Sequence, residues 1–298
     1  MKISQKTKNR VSGAVLATAF LLPALILCFA FHYYLTFSGV VYSFFDYDYA
    51  NPPGIFVGIK NYLIIFKSEL FWRQMKNTLI MWGIGIGLTF FIPVIQALFL
   101  NEITGKTRSV FKYLYILPMA IPGVAGTAVW RYIFNDTSGL ANMLIGVFGI
   151  EPQSWLYDEK LIRWCINIPG MVGGGMGLLI YLITIEGIDK GLYEAASLDG
   201  ATPFKQMWYI TIPNMTYMVK LQFLLSLTSS LLAFDGPYMW TDGTGGPNKA
   251  AETLVFGIYN KAYDLLQYGQ AMAMSIVIML ITLVFLGIRK LLTKESDD

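Results

Sequence analysis

Apolar runs broken by short polar stretches set the pattern of this chain. They fall at about 12–36, 76–100, 110–133, 162–186, 215–235 and 268–290. Each is near the ~20 residues that a helix needs to cross a bilayer. The runs are solid, whereas barrel strands would alternate in segments of about ten residues. The pattern therefore predicts an all-α membrane protein with six transmembrane helices in one domain, residues 1–298, and both termini on one side. The opening "MKISQKTKNR" is basic, and the apolar run after it extends from Val11 past Val40. That is longer than a signal-peptide core, so it reads as an uncleaved first span.

The segment between the fourth and fifth runs, 187–213, has a pattern of its own. It contains "YEAASLDGATPFKQMWYITIPNM". Asp189 stands where a helix begins, and an acid there meets unpaired N–H groups. Gly200 is a left-handed terminator. Thr202-Pro203 reads as an N-cap followed by proline at the first helical position. Phe204 to Ile210 then forms a second short helix, and Ile212-Pro213 closes it. The segment is thus a helix–turn–helix. Its exposed side mixes Glu194, Asp199 and Lys205 with Leu198, Phe204 and Met207, while Ala195 and Ala196 keep one face flat. A docking platform for a soluble partner and an interfacial amphipathic loop both fit.

Several spans are unlike plain lipid-facing helices. The fourth holds Pro169 and five glycines within eight residues. The second holds Gly83, Gly85, Gly87, Pro93 and Gln96; the third holds Pro118, Pro122, Gly123 and Gly126. Small residues allow close helix approach, and broken backbone is tolerated where it lines a cavity. Glu186, Lys220 and Asp235 lie near span ends, and no relay of acids or histidines crosses the core, so the driving energy is expected from outside the bundle. His32 reads as a packed or interfacial histidine.

Composition agrees. The chain is 55% hydrophobic and 14% charged with a net charge of +3, too weak and scattered for nucleic acid. Cys28 and Cys165 both sit in apolar runs, so no disulfide is expected. Basic residues are roughly twofold denser on the side holding the termini and 187–213, which places that side in the cytoplasm. There is no phosphate-binding Gly-rich loop, no zinc-type His/Cys spacing and no nucleophile elbow. Asp46, Asp48, Asp158 and Glu159 read as solvated loop carboxylates. No catalytic or metal site is expected.

The spacing E-A-A, three residues, G, nine residues, I, one residue, L, P is the pattern that 187–213 resembles. Glu194-Ala195-Ala196, Gly200, Ile210 and Pro213 match in register, with Ile212 in place of Leu. This is similar to the coupling loop of permease subunits in binding-protein-dependent ATP-binding-cassette importers. "FVGIKNY", Phe71-Trp72, Asn77-Thr78, "YILPMAIPGVAGTAVWRYIF", "TDGTGGP", "ETLVFGIYNKAY" and "YGQAMAMS" resemble the carbohydrate branch, of the maltose-transporter first-permease type. The resemblance implies a second, homologous permease, an ATPase dimer on the cytoplasmic side that consumes ATP and Mg, and an extracytoplasmic binding protein. The chain itself would bind no cofactor. It implies coupling through Glu194, Ala195, Ala196, Asp199, Gly200, Pro203, Ile210 and Pro213. It also implies solute contacts at Gly173, Met176, Gln222, Ser226, Ser229 and Ser230. Where the family places Asn or Tyr on the fourth span, this chain has Pro169 and Met176. A glycerol-phosphate ester as cargo, or a self-sufficient secondary transporter, are the alternatives.

Overall fold

The computed structural model describes residues 18–50, 52–172 and 175–294. Gly173 and the N-terminal tail lie outside the described residues. By contact the chain divides into two compact units, one reaching to Lys67 and including Ile258–Val277, the other comprising Ser68–Gly257 and the chain from Ile278 on.

In the first unit, α1 (Thr18–Tyr42) is apolar along its length, and none of its most apolar window is buried. His32 on it is exposed. Two short antiparallel strands follow, β1 (Phe45–Asp46) and β2 (Ile55–Phe56). Runs of two residues leave no alternation to read, so the hydrophobic pattern missed them. Helix α2 (Lys60–Lys67) holds the hairpin. Asn61 Nδ2 donates to the carbonyls of Ser43 and Phe45 at 2.9 and 2.8 Å, which satisfies backbone oxygens that the short ladder leaves free.

The second unit opens with α3 (Glu69–Glu102), a 34-residue helix that starts well before its apolar run. The third run is not one straight rod. It forms α4 (Gly105–Ala120) and α5 (Gly123–Ile133), bent by 103°. Ile121, held extended at φ −79° and ψ 126°, precedes Pro122, and a residue before proline is pushed out of the helical region. After α6 (Leu140–Val147), the fourth run appears as α7 (Leu161–Asn167), α8 (Pro169–Val172) and α9 (Gly175–Glu186). Then come α10 (Lys190–Leu198), α11 (Pro203–Gln206) and α12 (Ile212–Leu231). Further on lie α13 (Asp235–Trp240), α14 (Leu254–Tyr259) and α15 (Tyr268–Lys294).

By length and composition, four helices among the described residues can cross a membrane, α1, α3, the α7–α9 run and α15, and the count is five if the bent pair α4–α5 is one broken span. Helix α12 has 20 residues but carries Asn214, Lys220, Gln222 and several hydroxyls, so composition alone does not single it out. It ends at Leu231, short of the expected 235.

Small residues set the packing between the second and fourth runs. A side chain at Gly170 would overlap Thr89 Cγ2, and one at Gly177 would touch Pro93 at 3.7 Å. Gly175 instead has nothing within 4 Å of its Cβ position and takes φ +53°, a conformation that glycine adopts without strain. Gln96 Nε2 donates to the Met171 carbonyl at 3.2 Å, which partly satisfies the loosened backbone. A cluster of Ala97, Leu100, Leu178, Tyr181, Leu182, Ile185 and Met215 fills the seam of α3, α9 and α12. In lipid such a seam holds by close van der Waals contact more than by water exclusion.

Candidate functional site

Segment 187–213 folds as the spacing predicted, with one exception. The Asp189 side chain accepts from the Gly191 N–H at 2.9 Å, capping α10. At the other end Gly200 takes φ +77°. The N–H of Gly200 bonds to Ser197 O at 3.1 Å and that of Ala201 to Ala196 O at 2.9 Å, the paired closure of a Schellman turn. Thr202 Oγ1 accepts from the Lys205 N–H at 3.4 Å, with Pro203 at the first helical position. The exception is the expected stop at Pro213. The helix does not close there; it runs on from α11 through a wide turn, Met207–Thr211, into α12. In that turn the Ile212 N–H reaches back to Met207 O. The extra residue relieves the clash and the missing donor that a proline brings to a regular helix.

Side-chain bonds that spacing does not announce close the elbow. Gln206 Nε2 donates to Ser197 Oγ at 2.8 Å, and the Tyr193 and Thr211 hydroxyls pair at 2.9 Å. At its root, Glu186 meets Arg108 at 3.1 Å and Lys112 at 3.7 Å. A cleft of about 540 Å³ lies beside Glu194, walled by Asn101, Arg108, Glu186 and Tyr193 among others. The outward face carries Leu198, 91% exposed, Phe204, Tyr209 and Trp208. Glu194, Ala195, Asp199, Gly200, Pro203 and Pro213 are exposed as well, while Ala196 and Ile210 are half-buried.

The far end of α12 carries a second feature. Ser229 and Ser230 line a cavity of about 400 Å³ with Thr78, Trp82, Asn167, Asp235 and Thr253. The other solute positions are placed differently. Gln222, Ser226 and Met176 are not in this wall, and Ser226 donates to its own helix, to Phe223 O at 2.7 Å. Trp82 Nε1 is buried in the chain with no hydrogen-bond partner. An orphaned donor of this kind costs about 1–3 kcal/mol.

A polar knot adjoins the wall residues Thr78 and Thr253 in the chain. Asn77 Nδ2 donates to the carbonyls of Lys249 (2.8 Å) and Glu252 (3.1 Å), and Arg163 donates to Asn77 Oδ1 (3.0 Å) and Ala250 O (2.9 Å). Gln74 Nε2 donates to the buried Glu252 carboxylate at 2.7 Å, whose other oxygen meets Lys249 at 2.7 Å. A side chain at Gly257 would overlap the Gln74 amide. Thr253 Oγ1 donates to Ala233 O at 2.6 Å, and the Leu254 N–H to Thr78 Oγ1 at 3.1 Å. Sequence reading missed this knot, because its members lie as far as 178 residues apart.

Arg131 also reaches Asp242 with both guanidinium arms, one at 2.6 Å. That hydrogen bond holds the Asp242 carboxyl below the ordinary carboxylate range. Asp158 is shifted the same way, by the backbone N–H groups of Leu161 and Lys160. It is therefore a helix-start anchor rather than a free surface acid. Cys28 and Cys165 are free thiols. Among the described residues no group of three or more His, Cys, Asp or Glu is arranged to hold a metal.

An elbow at one end of a helix and a polar cavity at the other suit a membrane transport component. The chain belongs to the family described as binding-protein-dependent transport system inner membrane component, whose pattern matches residues 89–296. The family is one of transporter permeases, not catalytic subunits. Among relatives, the Probable ABC transporter permease protein YurN of Bacillus subtilis is 31% identical over 268 residues, 89% of this chain and 91% of that one. The trehalose/maltose transport system permease protein MalF of Thermococcus litoralis is 29% identical over 236 residues, 78% of each chain. In fold, the chain is similar to a subunit of a bacterial ABC transporter involved in the import of the acidic polysaccharide alginate. The TM-score there is 0.82 at 22% identity, covering 98% of this chain and 99% of that one.

Proposed function

We propose that this chain is the permease through which a sugar or oligosaccharide crosses a bacterial plasma membrane, with both termini and the elbow in the cytoplasm. A second, homologous permease completes the path. An ATPase dimer docks on Glu194, Ala195, Ala196, Asp199, Gly200, Pro203, Ile210 and Pro213, together with the exposed Leu198, Phe204 and Tyr209. ATP and Mg serve that ATPase, and this chain holds no cofactor. An extracytoplasmic binding protein delivers cargo at the opposite end, near Ser229 and Ser230. Gly173, Met176, Gln222 and Ser226 belong to the path further along.

One observation carries this reading. The backbone from Pro203 to Leu231 is continuous helix, so the Pro203–Ile210 part of the docking face and the cavity wall are two ends of one rod, to which Gln206 and Thr211 tie α10. The 20 residues of α12 span roughly 30 Å. A push on the elbow thus moves Ser229 and Ser230 without an intervening hinge loop. ATP biases the two states only through the difference in its partner's affinity for them. The relatives' names, among them a trehalose/maltose system and a lactose system, support a saccharide as cargo. The test is reconstitution with the ATPase, second permease and binding protein. Glu194→Lys or Gly200→Asp is expected to leave membrane insertion intact and abolish sugar-stimulated ATP hydrolysis. Full stimulation in both variants refutes the docking assignment.

A further inference from the structure

We infer that Asp235 sets the charge class of the cargo, so that the cavity at the far end of α12 accepts uncharged sugar rings and turns away uronates. This rests on the saccharide reading above and narrows it. The wall offers hydroxyls and an amide, from Thr78, Asn167, Ser229, Ser230 and Thr253. These groups donate and accept alike, as sugar hydroxyls do. Trp82 adds a flat apolar face and a buried N–H that has no partner in the chain. At about 400 Å³ the space falls in the range of small-ligand pockets, roughly 300–1,000 Å³.

Among the described residues of this wall, Asp235 is the one charged side chain. It is exposed, and no described residue forms an ion pair with it. Ionised, it accepts hydrogen bonds only, and those from sugar hydroxyls are charge-assisted. A bound uronate would meet a like charge with no cation to offset it. Arg163, on neighbouring α7, is committed to Asn77 and Ala250. Lys220 stands nine residues before Ser229 on α12, roughly 14 Å from it along the helix. A like charge at about 10 Å and an effective dielectric constant of about 20 gives roughly a tenfold penalty. The alginate importer shares the fold while its cargo is acidic, so the fold leaves this choice open and the wall residues make it.

The test uses the complete transporter, without binding protein, in nanodiscs. Tryptophan fluorescence is titrated with neutral trisaccharides (maltotriose, cellotriose) and with trigalacturonate. The neutral sugars are expected to bind at least tenfold tighter. Asp235→Asn is expected to bring the ratio below about threefold, while Asp235→Glu keeps it. Trp82→Ala, which removes the flat apolar face, is expected to weaken neutral binding severalfold and leave the ratio unchanged. Equal or tighter uronate binding by the parent protein, or an unchanged ratio in Asp235→Asn, overturns the charge assignment alone. Binding of neither class overturns the saccharide reading itself, and this inference with it.

Discussion

Replacing Asn77 by alanine tests whether the polar knot holds the segment 241–253 in place. Asn77 is 1% exposed, and its amide makes three hydrogen bonds, two to the carbonyls of Lys249 and Glu252 and one from Arg163. A neutral hydrogen bond contributes about 1 kcal/mol net, and one to a charged group about 1.5–3. Their sum is about 4 kcal/mol. Thermal midpoints move by about 2–4 °C per kcal/mol in domains approaching this size, so the midpoint should fall by about 8–16 °C. The chain supplies its own reporter, because Cys165 is fully buried. In a Cys28→Ala background, a thiol-reactive fluorophore added during a heat ramp lights up only as the fold opens. Limited proteolysis should also cut within 241–253 at temperatures where the parent resists. A midpoint within about 2 °C of the parent, with the segment still protected, refutes the reasoning.

Gly170→Ala should destabilise by about 1–3 kcal/mol, since the new methyl overlaps Thr89 Cγ2. Thr89→Ser removes that methyl, so the double variant should recover most of the loss in the same melt. The Arg131–Asp242 pair should make stability depend on pH only in the acid range, where its contribution is lost. Its carboxyl is depressed in the fold, so the contribution is complete above the unfolded value, about 3.9, and is lost as pH falls through the folded one. The parent should therefore lose stability relative to Asp242→Asn as pH falls below about 4, and show the same slope as the variant from pH 6 to 8. Asp242 is 68% exposed, so the difference should stay below about 1 kcal/mol.

The elements most legible in the sequence are those whose determinants are local. The caps of α10 and α11 depend on Asp189, Gly200, Thr202 and Pro203, each acting within three residues, and all four sit in the conformations their chemistry requires. The apolar runs announced α1, α3 and α15. Local pattern did not give angles. Pro118 and Pro122 signalled a kink, but the 103° bend also depends on what packs around it. Pro213 misled for a related reason, since a wide turn absorbs a proline that a regular helix would not. The knot of Asn77, Arg163 and Glu252 was beyond reach, because nothing in the spacing of residues so far apart encodes their meeting. Asp235 read as a span-end charge until the fold placed it beside Trp82 and Ser229.

The wide turn at Met207–Thr211 also gives the distance between Gly200 and Pro213 a meaning apart from residue identity. Such a turn holds one residue beyond the regular repeat. Deleting one residue there would leave an unbroken cylinder with Leu198 and Phe204 facing nearly the same way, whereas deleting one from the regular stretch after it would swing them around the axis by about 100°. The wide turn therefore works as a slack link, taking up one amino acid without resetting the compass direction of the contact surface.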